Sequence, residues 1–421
     1  MNRSFLTIML VLLTTTSAFA QLENSADPSD AGFIPERLAR IDSAIEAEIA
    51  ADKIQGAVAL IARHGTIVYQ KSFGYADIDS QTRMQNDSIF RIASMTKAVT
   101  TVAAMMLYEQ GHFQLNDPVS KYIPAFTHMK VISAVGDDGS LSTIDATRPI
   151  RIIDLLTHSS GISYPFIPGK LHKSYVEAGV IDGPTSKNVT LQSKMEILAK
   201  QPLLFEPGSA WAYGLSTDVL GYLVEVVSGK PLDRFFAEEI FAPLGMNNTY
   251  FYLPEDKTDQ LVTLYAAVAG KGLIVSKGDE SSIKLDNPRY PVEGAKTYFS
   301  GGAGLSSTAL DYARFCQMLL NGGSFNGSRL LGRKSIELMR TARADIDKDG
   351  EADFGLGFYI TELETTGEIG SPGTFSWSGA FDTSYWIDPA ENLVAVIMGQ
   401  ARPVQSDINK RFQSLVYQAL E

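Results

Sequence analysis

Apolar residues recur along the chain with two different periods, and the points where the period changes mark its elements. Over 33–52, Leu38, Ile41, Ile45 and Ile49 stand at helical spacing, which predicts a helix with one buried face. Residues 57–62 and 67–73 then read as two strands joined at His64-Gly65, a hairpin in which His64 is a turn residue. The run 94–110 differs from both. Behind a front of threonines and alanines it carries Val99, Val102, Ala103, Met105, Met106 and Leu107, apolar on nearly every face. A helix that oily belongs inside a protein. The β-type residues Ile89, Phe90 and Ile92 mark its start, and Gly111 supplies a left-handed stop.

Beyond Asp117-Pro118 the chain becomes loop-rich. A short helix over 150–156 ends at Thr157-His158-Ser159-Ser160-Gly161, and a stretch punctuated by glycine and proline covers 164–184. A helix near 193–200, a loop over 207–216, a packed helix over 219–228 stopped by Gly229 and a helical stretch over 235–241 follow. Residues 265–298 have little periodicity and read as a long loop, a candidate substrate lid. From Gly301 the pattern returns, with helices over 309–321 and 335–340, strands over 357–362, 374–377, 383–387 and 393–398, and a closing helix over 406–420. The early hairpin and late strands predict an α+β fold, one antiparallel sheet flanked by the two terminal helices. The middle is then a mostly helical insertion. At 421 residues two lobes are expected, 21–90 with 300–421 forming one and 91–299 the other, with the active site at their interface.

Composition narrows the class. Met1-Asn2-Arg3, an apolar core over 5–13 and Ala18-Phe19-Ala20 together describe a secretory signal cleaved after Ala20, so the mature chain is expected in the periplasm or medium. No cysteine stands directly after the apolar core, so a lipid-modified N-terminus is not expected, and no later stretch reaches the length of a membrane span. Cys316 is the single cysteine and falls in the apolar pattern Tyr312, Phe315, Met318, Leu319, which makes it a core thiol rather than a redox centre. A net charge of −12 argues against nucleic acid and anionic membrane as partners. The five histidines are scattered and no metal or cofactor site is expected. Asp345, Asp347, Asp349 and Gly350 imitate half a calcium loop, but Leu356 stands where a bidentate glutamate is needed.

The chemistry gathers at Ser94-Met95-Thr96-Lys97. Residues three apart share a helix face, so the two side chains can touch in the first turn. A serine hydroxyl needs a base to become a nucleophile. In an apolar first turn near the positive end of the helix, burial and dipole both disfavour the ammonium form of Lys97, which suits it to that task. The Ser94 N–H, unpaired at a helix start, can face a developing oxyanion. Alone the Ser-x-x-Lys spacing is weak, and its second copy at Ser281 and Lys284 lies in a polar run with no apolar helix behind it. No Gly-x-Ser-x-Gly elbow occurs, and His158 reads as a helix-end turn residue rather than a triad base.

Several separate motifs in order carry a resemblance. Ser94 to Lys97, Leu155-Leu156-Thr157-His158-Ser159-Ser160-Gly161, Pro207-Gly208, Tyr213-Gly214-Leu215-Ser216, 221–229, 301–305 and Trp386-Ile387-Asp388-Pro389 together resemble the serine β-lactamase and penicillin-binding protein superfamily. Within it the chain is most similar to the class C β-lactamase-like branch and the family VIII carboxylesterases, from about Phe33 to the C-terminus.

The resemblance implies a second basic group at Tyr213. A free phenol has a pKa of ~10, so it would act beside positive charge or share one proton with Lys97. The third motif departs from the Lys-Thr-Gly of β-lactamases. Trp377-Ser378-Gly379 stands in its place, Ala380 would give the second oxyanion N–H, and Leu215 replaces an asparagine. With an ammonium and an amide both replaced, Trp377, Ser378, Gly379 and Leu215 would greet an uncharged ester or amide substrate. An exported carboxylesterase working through an acyl-serine is the expectation. A β-lactamase, D,D-peptidase or amide hydrolase is the second reading, and a non-catalytic cell-wall binding protein the third.

Overall fold

A computed structural model describes residues 22–421 apart from 25–26, 269, 280–284, 286, 347, 349 and 362–368. The signal segment 1–20, the 281–284 match, Asp347, Asp349 and Glu362 lie outside the described residues. Helix α1 (Pro35–Ala50) forms where the one-sided pattern predicts it and turns Leu38, Ile41 and Ile45 inward. Strands β1 (Gly56–Arg63) and β2 (Thr66–Asp77) make the expected hairpin. His64 and Gly65 both take positive φ at its tip.

The oily run becomes α2 (Thr96–Glu109), in which every residue from Thr96 to Leu107 is buried. The insertion continues through α3 (Ser216–Ser228), and the chain returns to the sheet by α4 (Ala309–Leu320). Strands β3 (Tyr359–Ile360), β4 (Phe375–Gly379), β5 (Thr383–Asp388) and β6 (Leu393–Met398) precede the closing helix α5 (Ile408–Tyr417). The sheet runs β2-β1-β6-β5-β4-β3, antiparallel at every one of these pairs, with Glu23–Asn24 added parallel at the β2 edge.

Both faces of this sheet are covered, which is why β6, and β1 up to Ala62, run without a polar side chain. In β1, Ala57, Ala59 and Ile61 join a core made with α1 and α5, whereas Val58, Leu60 and Ala62 join the larger core of α2, α3 and α4. Alternate residues of β6 divide the same way. Cys316 is a buried free thiol in the larger core. No helix among the described residues is long and apolar enough to cross a membrane.

Three stretches differ from the sequence reading. Lys130–Val135 and Leu141–Asp145 pair as a hairpin inside the region read as loop. Val135 and Ile144 on it are exposed, so its apolar residues do not show the one-sided alternation of a core strand. The stretch 265–298 begins with a hairpin, Tyr265–Val268 with Gly272–Val275, and its described residues after that are loop. A short helix, His172–Glu177, interrupts 164–184.

The tight turn 380–382 between β4 and β5 contains a buried carboxyl, Asp382. Burial pushes it up to about 7, Asn409 opposing through a hydrogen bond and the charge of Glu48 adding to the rise. A folded-state value above the ordinary carboxylate range means folding binds a proton, so stability present near pH 4 is lost as pH rises through 7. For this one group the fall is on the order of 3 kcal/mol. Urea melts at pH 4.5 and pH 7.5 should show this fall in wild type and a clearly smaller one in Asp382→Asn; equal falls would refute the assignment.

Candidate active site

Ser94 lies just before α2, in the single 3-10 turn Ala93–Met95. The approach is rigid. Phe90–Arg91 pairs with Ser306–Ser307, and the Ile92 N–H donates to the Leu305 carbonyl at 3.0 Å. Ala93 is held at φ 42°, a left-handed conformation that a residue with a Cβ keeps only when its surroundings impose it. Such strain concentrates at functional sites, and here it directly precedes the predicted nucleophile.

The polar front of α2 acts as a clasp for 301–305. Thr100 donates to the Gly301 carbonyl at 2.6 Å, the Leu305 N–H donates to Thr96 Oγ1 at 3.0 Å, and Tyr312 of α4 donates to the Met95 carbonyl at 2.8 Å. This brings the Gly302 carbonyl over Lys97. Lys97 is 2% exposed, and its Nζ donates to Gly302 O at 2.8 Å, the Tyr164 hydroxyl at 3.0 Å and Ser94 Oγ at 3.1 Å. The apolar setting expected for this amine is therefore corrected. Three oxygens converge on it, as many as an ammonium has N–H groups.

Tyr213 arrives from the loop before α3. Its hydroxyl lies 2.6 Å from Ser94 Oγ, and its ring centroid is 4.7 Å from Lys97 Nζ. Ser94, Lys97 and Tyr213, spread over 119 positions, meet at one oxygen. His158 stays out of this contact. It ends the helix Ile152–Leu156 at φ 53°, accepts the Ala212 N–H on its carbonyl, and packs its ring against Trp211, Tyr213 and Phe354. Burial, helped by the charge of Lys97, pushes its imidazole down to about 3, so it is a poor proton acceptor.

Two side chains next to Lys97 were not singled out from the sequence. Tyr164 donates no chain-order clue, yet burial pushes its hydroxyl well above the ordinary phenol range, with Tyr213 and Asp218 adding, so it stays a neutral partner of Lys97. Asp218 of α3 accepts from Ser300 Oγ at 2.6 Å and from the Gly302 N–H at 3.3 Å. One peptide unit away, Gly302 offers its carbonyl to Lys97, so Asp218 steadies a partner of the amine. A Cβ on Gly302 would come within 2.4 Å of Asp218 Oδ2, which explains the glycine. Burial pushes the Asp218 carboxyl up, while the Ser300 bond and the charge of Lys97 pull it down.

A cavity of about 240 Å³ opens on this cluster, lined in part by Ser94, Tyr164, Phe166, Tyr213, Leu285 and Trp377. The sequence model of one family, described as Beta-lactamase, matches residues 41–418. The chain belongs to the β-lactamase family. Among relatives of this β-lactamase-family chain, Esterase EstB of Burkholderia gladioli is 28% identical over 390 residues, covering 90% of this chain and 93% of that protein. A Salmonella typhi protein provisionally named D-alanyl-D-alanine carboxypeptidase is 31% identical over 438 aligned positions, covering 98% of this chain and 94% of its own. The solved structure of EstCE1, titled a hydrolase with promiscuous acyltransferase activity, superposes with a TM-score of 0.78 at 29% identity, covering 91% of this chain and 99% of that one.

In this β-lactamase-family site β4 forms one wall. Trp377, Ser378, Gly379 and Ala380 all line the cavity, and the Trp377 ring stands 5.7 Å from that of Tyr213. Gly379 is required by closeness, because a Cβ there would meet the Ile92 carbonyl at 2.3 Å. Leu215, expected to contact substrate, is fully buried beneath the site and absent from the cavity wall. It precedes α3 and takes the core side of that turn. Larger hollows exist elsewhere, including one of about 600 Å³ against α5, but Ser94 lines none of the others described. Among the described residues no cluster of three His, Cys, Asp or Glu side chains could hold a metal.

Proposed function

We propose that this chain is an exported serine hydrolase that cleaves carboxylic esters through an acyl-serine intermediate. One observation carries the reading: Ser94 Oγ sits 2.6 Å from a phenol oxygen and 3.1 Å from a lysine nitrogen at the wall of an apolar cavity. Ser94 attacks the ester carbonyl, and its proton passes into the Tyr213–Lys97 pair, which returns it to the leaving alkoxide. The oxyanion is taken up by the N–H groups of Ser94 and Ala380. Water then attacks the acyl-serine by the same route and frees the acid.

The cavity wall argues for the substrate. Among the described residues its lining includes no lysine or arginine, and Asp182 is the one charged side chain. A penicillin or a peptide ending in D-alanine would bring a carboxylate to a wall whose described residues offer a carboxylate and no cation. An uncharged ester meets no such cost. The volume falls below the ~300–1,000 Å³ of sites for drug-sized ligands, which favours short acyl chains. The name of the Salmonella relative keeps peptide or lactam cleavage as the second reading.

The test is a substrate panel together with a fluorophosphonate probe. p-Nitrophenyl butyrate should turn over at least about 100-fold faster than nitrocefin or a D-Ala-D-Ala peptide, the span a mismatched polar group commonly produces. Mass spectrometry of the labelled protein should place the adduct on Ser94 and the mature N-terminus at Gln21. Faster nitrocefin turnover would promote the second reading. A folded protein that no probe labels would turn the scaffold into a binding protein.

A further inference from the structure

The residue proposed to supply the second oxyanion N–H, Ala380, lies one position past the end of β4, beyond the last ladder pair, Gly379 with Thr383. Its carbonyl, in the peptide that follows, therefore lies outside the ladder. What holds it is the strap 399–402 that follows β6. The Gly399 N–H donates to the Asp382 carbonyl at 2.7 Å, and the Ala401 N–H to the Phe381 carbonyl at 3.3 Å. The third bond is made by a side chain: Arg402 Nη1 donates to the Ala380 carbonyl at 2.8 Å.

Arg402 is half-buried, and the charge beside it comes from Asp182, in the loop that lines the same cavity. Burial pushes its guanidinium down from the ordinary arginine range, and Asp182 offsets part of that. The side chain that bonds the turn thus also feels the charge of a carboxylate lining the same cavity.

We propose that Arg402 is a positioning residue for the oxyanion hole, its bond to the Ala380 carbonyl holding that residue so that its N–H faces the cavity. The bond acts through the Ala380 Cα, since the N–H belongs to the preceding peptide. With the carbonyl pinned, the 380–381 peptide is held, and through the shared Cα this narrows the directions open to the N–H. An oxyanion donor is effective only if it is set before charge develops, so the bond matters more to the transition state than to the bound ester. The proposal rests on the reading of Ser94 as acyl acceptor with Ala380 as oxyanion donor.

The experiment compares wild type, Arg402→Gln, Arg402→Lys and Arg402→Ala on p-nitrophenyl butyrate, with Ser94→Ala as the control for the underlying reading. Active sites are counted by fluorophosphonate titration, so that kcat refers to folded protein. Arg402→Gln and Arg402→Ala should lose about 10- to 50-fold in kcat with KM within about twofold, less than the ~10²–10³ of losing an oxyanion donor outright. Arg402→Lys, which keeps charge and one donor, should retain most of the rate. Sub-denaturing guanidinium chloride should restore part of kcat to Arg402→Ala and none to Arg402→Gln. A merely structural arginine would lower melting temperature while leaving kcat per titrated site unchanged, and that result would overturn the proposal. If the Gln and Ala variants do not fold, the decision passes to Arg402→Lys: kcat per site falling with KM steady supports positioning, and an unchanged kcat with a lowered melting temperature overturns it. If Ser94→Ala is as active as wild type, the parent reading fails first and independently.

Discussion

Alanine at position 94 is expected to lower kcat for p-nitrophenyl butyrate by about 10⁴- to 10⁶-fold, the loss seen when a covalent nucleophile is removed and only binding and the oxyanion hole remain. The reason lies in how the site is shared. Lys97 and Tyr213 both address Ser94 Oγ, so without that oxygen neither has a group to activate. The fold should be almost untouched. Lys97 keeps its bonds to Tyr164 and Gly302, and the clasp of 301–305 on α2 does not involve Ser94. A melting temperature within about 3 °C of wild type, together with loss of fluorophosphonate labelling, is the expected pair of readings. Residual ester turnover above a tenth of wild type, in protein purified free of host esterases, would show that another group accepts the acyl chain.

Tyr213→Phe should produce the second-largest effect, about 10²- to 10⁴-fold in kcat with little change in KM, as for a lost general acid–base group. The substitution removes one oxygen and leaves the ring, which stacks on Trp211 at an interplanar angle of 12° and faces Trp377. Packing is preserved and only the 2.6 Å contact to Ser94 disappears. Lys97→Met should cost a similar factor, and the double variant little more than either, because two members of one proton-sharing unit are not additive. Tyr164→Phe should cost clearly less, since its hydroxyl reaches Lys97 and not Ser94. Stopped-flow kinetics on the four variants would decide. If Tyr213→Phe keeps more than half of wild-type kcat, or if the two losses multiply, the shared relay is wrong.

These expectations divide by how far apart in the chain their residues stand. Ser94 and Lys97 were legible because helix geometry alone brings residues three apart together. Tyr213 became legible through a resemblance, as did Trp377 and Ala380, since nothing local links them to Ser94. Tyr164, Asp218 and the Gly302 carbonyl were not legible at all. They lie 67, 121 and 205 positions from Lys97 and carry no spacing that marks them. Leu215 was misplaced for the same reason, because neighbourhood in sequence to Tyr213 does not say which side of the turn before α3 a residue faces.

By itself the amino-acid sequence determined the oily helix, the sheet strands, the α+β class and the pairing of a hydroxyl with an amine in one helical turn. Each of these follows from periodicity, a property of neighbours a few residues apart. Only the tertiary structure decided which oxygens surround Lys97, that Asp182 is the one charged side chain among the described residues lining the cavity, and that Arg402 reaches the Ala380 carbonyl. Those are contacts between distant segments, set by how the sheet, α2 and α3 pack, and packing is a many-body result that no local pattern records.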